Sequence, residues 1–355
     1  MSSAKSAAAG RVHGGPRLAE LRALGVDPVR LVDYSVNVNP YGPCPAVLEA
    51  IRRAPVDRYP DPDATEVREA LAARWHVPPG RVAFGNGASE LLWTLAAAAL
   101  RGRRLLVAEP AFGEVRAAAE AAGARVLAWR AGEERAFVPD VDAISDVLRR
   151  ERADAVALCT PTSPTGAALV HDDVLRLARA HEDVLFLLDE SFLALSDRYE
   201  DLERRLPDHV LRLRSLTKDH AVPGVRAGYL LAPEPIVAAI DAARPAWPTG
   251  TLAQGAGCAA VASEAFVAES RERLCADRRA LEAGLRGLGI EPFPSVAPYL
   301  AFRCADACAL RRRLLARHVL VRDCASFGLP GIVRVAVRPA PERERLLAAL
   351  AEELE

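Results

Sequence analysis

The stretch Ser-Leu-Thr-Lys-Asp-His-Ala-Val-Pro-Gly-Val-Arg-Ala-Gly-Tyr, from Ser215 to Tyr229, decides the fold. It places Lys218 on the loop after a predicted strand, His209–Leu213, with Arg226 eight residues later. A lysine that forms a Schiff base must lose its proton, which requires a partly desolvated site and nearby positive charge. Arg226 supplies that charge, and its planar guanidinium can bind a phosphate together with the Ser215 hydroxyl. The stretch therefore predicts a site for a phosphorylated aldehyde cofactor.

A glycine-rich turn lies between the predicted strand Val82–Phe84 and the predicted helix Ala88–Leu100. Backbone amides at a helix N-terminus bind phosphate because they have no partner within the helix and the helix dipole lies behind them. We therefore expect Gly87, Ala88 and Ser89 to surround the cofactor phosphate.

Three further side chains are candidates for cofactor contacts. Asp189 ends the apolar run Val184–Leu188, and a carboxylate at the C-terminal end of a buried parallel strand points into the ligand crevice. Beside a pyridine nitrogen it would keep the ring protonated and strengthen its electron-withdrawing power. Phe112, after the predicted strand Arg104–Ala108, is positioned to stack on the cofactor ring. Tyr59, in a Pro-rich turn, could reach a cofactor phosphate in a partner subunit, or could belong to a plain turn.

Alternating apolar and amphipathic runs predict the fold class. Several apolar runs lack polar alternation, as expected for strands covered on both faces. We predict strands at Val82–Phe84, Arg104–Ala108, Arg125–Trp129, Ala155–Cys159, Val184–Leu188, His209–Leu213 and Ala227–Leu231. Predicted helices separate them, at Ala88–Leu100, Phe112–Ala122, Val141–Glu151 and Asp172–His181. This order predicts an α/β fold with a mostly parallel, seven-stranded sheet between helices.

The pattern changes after Pro245. A long helical stretch, Leu252–Leu288, is predicted to lead to a smaller α+β domain with strands at Tyr299–Arg303, Val319–Arg322 and Ile332–Val337 and a last helix at Pro341–Leu354. The first ten residues are small and polar, which is typical of a disordered tail and not of a signal peptide. We expect a tail (1–10), an N-terminal arm with part of the small domain (11–50), a large cofactor-binding domain (51–250), and a linking helix with the small C-terminal domain (251–355).

The composition bears on the class of partner and on the compartment. With 46 basic and 47 acidic residues, the formal net charge of −1 gives no electrostatic reason to bind nucleic acid or an anionic membrane. The seven cysteines form no Cys-x-x-Cys, and Cys304 and Cys308 have few histidines near them in the sequence, so we predict no metal site. Reduced cysteines in core positions are typical of a cytoplasmic enzyme, and we expect that localisation.

Together these motifs resemble the pyridoxal-phosphate-dependent class I and II aminotransferases of fold type I. The chain is most similar to the branch that contains the histidinol-phosphate aminotransferases and the cobalamin-pathway L-threonine O-3-phosphate decarboxylases. Three segments resemble the decarboxylases: His13–Gly15, Tyr34–Gly42, and Val321–Cys324 followed by Val333–Arg338.

The resemblance implies a cofactor, a substrate site and an assembly. The cofactor would be pyridoxal 5'-phosphate, held by Lys218, in a homodimer. Arg334 would bind the α-carboxylate of a small amino-acid substrate. Arg338, His13 and Asn39 would bind the rest of that anionic substrate.

The departures from the family pattern leave the substrate open. Ser163 stands where the family has an asparagine that contacts the ring hydroxyl of the cofactor, and Pro16 and Trp247-Pro248 replace other family residues. Decarboxylation of a phosphorylated amino acid is our first hypothesis, and transamination of histidinol phosphate or a related amine is the alternative. A non-catalytic binding protein of the same fold is a further alternative, against which Lys218 and Asp189 argue.

Overall fold

A computed structural model describes residues 12–202 and 204–354 of the chain. The predicted tail, residues 1–10, lies outside these described residues. The strands are β1 (Val32–Asp33), β2 (Val82–Gly85), β3 (Arg104–Glu109), β4 (Arg125–Arg130), β5 (Ala155–Cys159), β6 (Leu185–Asp189), β7 (Val210–Ser215), β8 (Gly228–Leu231), β9 (Tyr299–Arg303), β10 (Val319–Leu320), β11 (Arg322–Asp323) and β12 (Ile332–Ala336). The helices are α1 (Leu18–Leu24), α2 (Pro45–Arg53), α3 (Thr65–Trp75), α4 (Ala88–Ala99), α5 (Gly113–Ala121), α6 (Val141–Glu151), α7 (His171–Ala180), α8 (Tyr199–Leu202), α9 (Leu216–Asp219), α10 (Glu234–Ala243), α11 (Thr251–Val261), α12 (Glu264–Gly287), α13 (Ala307–Ala316) and α14 (Ala340–Leu354).

The large sheet has seven strands in the order β2-β8-β7-β6-β5-β3-β4. The strands from β7 to β4 run parallel, whereas β8 runs antiparallel to both β7 and β2. The predicted α/β fold with a mostly parallel, seven-stranded sheet is confirmed. All carboxyl ends of the five parallel strands lie along one edge of the sheet, where ligands bind in open α/β folds.

Helices cover both faces of this sheet, which is why its strands lack polar alternation. Successive residues of a strand point to opposite faces. In β5, Ala155 and Ala157 join one apolar cluster, with α4, α5 and α10, while Val156 and Leu158 join another, with α6 and α7. The strand is therefore buried on both sides and needs apolar residues at every position.

The C-terminal part of the chain forms a second, antiparallel sheet in the order β11-β12-β9. The predicted single strand Val319–Arg322 is wrong in one respect, because the chain changes partners at Val321. Before that residue β10 pairs with β1 in a parallel pair, and after it β11 pairs with β12. The N-terminal segment thereby joins the C-terminal one, and Tyr34 packs in the same cluster as Leu300 and Val335.

The predicted helix Leu252–Leu288 is also corrected, because it consists of two helices, α11 and α12. α11 ends at Val261, and the Ser263 hydroxyl donates a hydrogen bond back to the Ala259 carbonyl at 2.7 Å. Such a bond satisfies a carbonyl at the end of a helix and competes with continuation of the helical ladder.

The described residues contain neither a membrane-spanning helix nor a cluster of metal-binding side chains. Within residues 12–202 and 204–354, no helix has the length and apolar composition needed to span a bilayer. The same part of the chain holds no group of three His, Cys, Asp or Glu residues that could bind a metal ion. All seven cysteines are free thiols.

Candidate active site

A cavity of about 960 Å³ opens at the carboxyl edge of the large sheet. Its floor includes Cys159, Asp189 and Ser215, the last residues of β5, β6 and β7. Arg322 and Arg334 of the second sheet form part of the opposite wall. The cavity therefore lies between the large sheet and the C-terminal sheet, at the position predicted for the ligand crevice.

Lys218 lies in this cavity, on the short helix α9 that follows β7. Its Nζ is 3.8 Å from the centroid of the Phe192 ring. Burial lowers the pKa of the Lys218 amine, and the negative charge of Asp189 opposes that effect. An amine with a lowered pKa is the form that attacks a carbonyl carbon, so the environment suits the predicted role.

Asp189 is buried at the end of β6, and its backbone pairs with Cys159 of β5. One carboxylate oxygen accepts a hydrogen bond from the Ser191 amide at 2.9 Å. Burial and then the Asp189 charge raise the pKa of the Cys159 thiol, which stays protonated. Asp189 lines the cavity, so the structure places it at the site, and its contact with a pyridine nitrogen stays a prediction.

The predicted phosphate-binding turn joins β2 to α4. Ala88 and Ser89 line the cavity, at the first turn of a 12-residue helix. Gly87 does not line it: it has φ +82° and its amide donates to the Gly85 carbonyl at 2.7 Å. A Cβ at Gly87 would lie 2.6 Å from Nη2 of Arg226, so only glycine lets this guanidinium approach the turn.

Hydroxyl groups complete this corner of the cavity. Ser215 and Thr217 both line it, and their hydroxyl oxygens are 2.9 Å apart. Arg226 also lines it and donates to the Pro223 carbonyl at 3.0 Å. A helix N-terminus, a guanidinium and two hydroxyls therefore converge near the half-buried Lys218. This set of groups fits the phosphate and the aldehyde of the predicted cofactor.

Arg334 is a buried cation of the opposite wall. Its Nη2 donates to the Ser35 carbonyl at 2.6 Å and its Nη1 to the Ser163 hydroxyl at 3.3 Å. With its amide oxygen turned toward the guanidinium, Asn37 accepts from Nη1 and Nε at 3.1 and 3.2 Å. Burial lowers the pKa of Arg334. Ser163, which was predicted to contact the cofactor, thus directly contacts Arg334, which was predicted to bind the substrate carboxylate.

Arg322 lies beside Arg334, because the two residues are paired across β11 and β12. Its Nη2 donates to the Ser326 hydroxyl at 2.6 Å and to the Val12 carbonyl at 2.5 Å. Burial, and next the positive charge of Arg334, lower the pKa of Arg322 to about 10. Two neighbouring buried guanidiniums make this wall suitable for a ligand with two anionic groups.

His13 brings the N-terminal segment over the same cavity. Its Nε2 is 2.9 Å from Oε1 of Glu114, whose other oxygen accepts from the indole of Trp93 at 2.7 Å. The His13 ring lies 5.7 Å from that of Phe112, centroid to centroid. Both rings line the cavity, so the structure brings His13 and Phe112 together at the site, in agreement with the sequence.

Asn39 and Arg338 do not line the cavity, in contrast to the prediction. The Asn39 amide nitrogen donates to the Asp219 carbonyl at 2.9 Å, and its oxygen accepts from the Tyr41 amide at 3.1 Å. Arg338 lies beyond the end of β12 and donates to the Asp33 carbonyl at 2.5 Å. Both side chains contact backbone groups of neighbouring segments.

Tyr59 also lies away from the cavity of its own chain. Its side chain is on the surface, 76% exposed, and its ring stacks on that of Trp247 at 4.4 Å between centroids. A contact between Tyr59 and a cofactor within one chain is therefore excluded, and the prediction of a contact in a partner subunit stays a prediction.

Among the cavity residues to which the sequence assigned no role are Arg322, Asn37, Phe192 and Thr217. Phe192 is three residues after Asp189 and is buried between Lys218 and Tyr299, whose ring centroid is 5.1 Å away. An aromatic residue soon after the strand-ending Asp189 was a usable signal. For Arg322 the signal was weaker, because a two-residue strand has no readable alternation.

The family model for aminotransferase class I and II matches residues 29–351. The chain belongs to the class I and II aminotransferase family. The chain is 33% identical to threonine-phosphate decarboxylase of Salmonella typhimurium over 357 residues, which cover 95% of each protein. Histidinol-phosphate aminotransferase 2 of Pseudomonas aeruginosa is 32% identical, covering 97% of this chain and 94% of that protein.

Solved structures of the aminotransferase family show the same architecture. Histidinol-phosphate aminotransferase from Sinorhizobium meliloti, in complex with pyridoxal-5'-phosphate, superimposes with a TM-score of 0.84 at 25% identity and covers 97% of this chain and 95% of its own. Aspartate aminotransferase from Thermus thermophilus with maleate has a TM-score of 0.82 at 27% identity, covering 96% and 97%. The predicted family, fold type and cofactor are confirmed: this is a pyridoxal-phosphate enzyme.

Proposed function

We propose that this enzyme decarboxylates a small amino acid that carries a phosphate group, as L-threonine O-3-phosphate does. The observation that carries the proposal is the pair Arg322 and Arg334, two buried guanidiniums paired across β11 and β12 on one wall of the cavity. Two guanidinium charges on one wall match a substrate that carries both a carboxylate and a phosphate. The similarity to a threonine-phosphate decarboxylase supports the same choice.

In this proposal each side chain has one task. Arg334 binds the α-carboxylate and Arg322 the phosphate, with His13 at the rim. Pyridoxal 5'-phosphate, when bound, withdraws electrons from a bond at the substrate Cα. Asp189 holds the proton on the pyridine nitrogen, and Lys218, with its lowered pKa, accepts and returns a proton at Nζ.

Transamination of histidinol phosphate or a related amine is the second candidate. It is supported by 32% identity to a histidinol-phosphate aminotransferase over nearly the whole chain. The two reactions differ in which bond at Cα lies perpendicular to the cofactor ring. Arg334 and Arg322 would set that orientation through the two anionic groups, so a substrate with no carboxylate would bind them differently.

Product analysis separates the two candidates. We expect the purified holoenzyme to release carbon dioxide from L-threonine O-3-phosphate without a keto-acid acceptor. Incubation with histidinol phosphate and 2-oxoglutarate is the parallel assay, in which we expect no glutamate. Glutamate formation without carbon dioxide release would reverse the assignment. The resemblance also implies a role in cobalamin biosynthesis, and release of carbon dioxide in this assay would support that role.

We also propose a cytoplasmic homodimer in which Tyr59 reaches the cofactor phosphate of the partner subunit. The support is that the Tyr59 ring is exposed, stacks on Trp247 and lies outside its own cavity. Light scattering should give twice the chain mass of 38.1 kDa. Tyr59→Phe should weaken cofactor binding without changing that mass. A monomer with full cofactor affinity would exclude the proposal.

A further inference from the structure

Arg244 connects the two ends of the phosphate-binding turn from outside the cavity. Its side chain is only 4% exposed. Nη1 donates to the carbonyl of Phe84, before the turn, at 2.9 Å. Nε and Nη2 donate to the two carboxylate oxygens of Glu90, after the turn, at 3.1 and 3.2 Å. One guanidinium thus fixes the distance between the end of β2 and the start of α4.

Glu90 transmits this contact to the turn itself. Its Oε2 also accepts from the backbone amide of Asn86 at 3.1 Å, and its Oε1 accepts from the Thr94 hydroxyl at 2.8 Å. A Cβ at Gly85 would lie 2.4 Å from Oε2, so the carboxylate packs directly against the turn backbone. The same carboxylate therefore contacts two consecutive residues of the turn, Gly85 and Asn86, from behind.

The charge of this carboxylate matters for a phosphate. Glu90 lies in the first turn of α4, next to Ser89, which lines the cavity. An unpaired carboxylate there would compete with a phosphate for the helix N-terminus and repel it. Arg244 pairs with both oxygens and so removes that repulsion. Neither Glu90 nor Arg244 lines the cavity, so both act through the turn.

We propose that Glu90 and Arg244 are positioning residues that set the affinity of the turn for the phosphate of the cofactor, by holding its amides in place and by cancelling the carboxylate charge. Arg244→Gln leaves the charge of Glu90 uncompensated. Glu90→Gln removes that charge and keeps an amide of similar size. The double variant restores a neutral pair, so it should bind the cofactor better than Arg244→Gln alone.

The test is titration of the apoprotein with pyridoxal 5'-phosphate and, separately, with pyridoxal, which lacks the phosphate, followed by the visible absorbance. We expect Arg244→Gln to raise the Kd for pyridoxal 5'-phosphate about tenfold or more, roughly the 1.4 kcal/mol of one charge-assisted contact. The Kd for pyridoxal should change little. The double variant should recover part of the loss.

Arg311→Gln is the matched control, because Arg311 makes the same kind of bidentate pair, with Glu20 at 2.6 and 2.9 Å, on α13 and α1 and not at the turn. It should leave both Kd values unchanged. Equal losses for pyridoxal and pyridoxal 5'-phosphate, or a double variant weaker than Arg244→Gln, would overturn the proposal. If Arg244→Gln does not fold, Arg244→Lys keeps the charge, loses the bidentate contact and should show a smaller, still phosphate-dependent, loss.

Discussion

Lys218 is one of only two lysines in the chain, the other being Lys5. Of the two, Lys218 alone lies among the described residues, half-buried near Phe192 and Asp189. This composition makes the assignment of the cofactor-bearing lysine unusually simple to test, because chemical fixation of the cofactor has two possible positions and a variant can remove each.

Lys218→Ala should lose the borohydride-fixed cofactor adduct and most of its turnover, by roughly 10²–10⁴-fold, as for loss of a general base. The physical reason is that no other amine in the described residues can take its place. Lys5→Arg is the control and should retain both. Mass spectrometry of the reduced protein checks the adduct; a labelled Lys5 with an unlabelled Lys218 would refute the assignment.

The positions of site residues that lie at a strand end or within a contiguous motif could be predicted from the sequence. Lys218 and Asp189 are such residues, and Arg226 and Ser89 belong with them, because the chain itself fixes their position at the carboxyl edge. Arg338 could not be predicted, because it lies where the chain leaves β12 and strand alternation no longer applies. We propose that Arg322 has the phosphate-binding role expected of Arg338, and the position of Arg322 depends on the pairing with β12.

Asn37 and Asn39 form a matched pair that separates a substrate role from a structural one. Asn39 binds the Asp219 carbonyl and the Tyr41 amide, so Asn39→Ala leaves buried backbone groups unpaired and should cost about 1–3 kcal/mol of unfolding free energy. Its KM should stay near the wild-type value. Asn37→Ala removes a partner of Arg334 and should raise KM with a smaller loss of stability. Denaturant unfolding and steady-state kinetics check both; the reverse pattern would return Asn39 to the substrate site.

At the scale of elements, β6 and β7 are joined beneath the site by a buried ion pair. Glu190 is 1% exposed and accepts from Arg212 at 2.8 and 2.9 Å and from Arg214 at 2.8 Å. Both guanidiniums also lie over the Trp75 ring, at 4.7 and 5.1 Å. The cluster holds together the strands that end at Asp189 and Ser215, and so it fixes the distance between two parts of the site.

Glu190→Gln should destabilise the protein by about 3–5 kcal/mol near neutral pH, because it removes the buried negative charge that Arg212 and Arg214 both contact. Burial alone would raise the pKa of Glu190, but Arg212 and Arg214 hold it below its usual value. A lowered folded-state pKa gives stability that is present above the unfolded pKa, about 4.3, and is lost as the pH falls through the folded value. The difference between wild type and variant should therefore shrink below about pH 4.

Glu291→Gln is the control for this prediction, since Glu291 makes a bidentate pair with Arg286 on the surface, where such pairs contribute about 0–1 kcal/mol. Urea unfolding at several pH values measures both variants. A difference for Glu190→Gln that stays constant down to pH 3 would show that the pair does not account for the stability.

The order of elements was predictable because buried parallel strands need continuous apolar runs, as in β5. An exposed segment would not have such a run. The boundaries between elements were less predictable from the sequence. Whether α11 continues into α12 depends on one hydrogen bond from Ser263, and whether β10 continues into β11 depends on which strand lies beside it. These are tertiary contacts, and no local pattern in the sequence encodes them.

At the scale of the whole molecule, the site exists because two sheets face each other across one cavity. The large sheet supplies Lys218 and Asp189, and the C-terminal sheet supplies Arg322 and Arg334. In our proposal the residues of the seven-stranded sheet bind pyridoxal phosphate, and those of the small sheet select the substrate. The family resemblance could predict the first from motifs; the second required the pairing of β11 with β12.

We propose that Arg322 selects a substrate with a second anionic group. The most direct test is the ratio of kcat/KM for L-threonine O-3-phosphate to kcat/KM for L-threonine. Charge-assisted hydrogen bonds are worth about 1.5–3 kcal/mol each. Arg322→Gln should therefore lower kcat/KM for the phosphorylated substrate about tenfold or more and change that for threonine little. Arg338→Gln, outside the cavity, should leave the ratio unchanged. An equal loss for both substrates in Arg322→Gln, or a loss of the ratio in Arg338→Gln, would contradict the account.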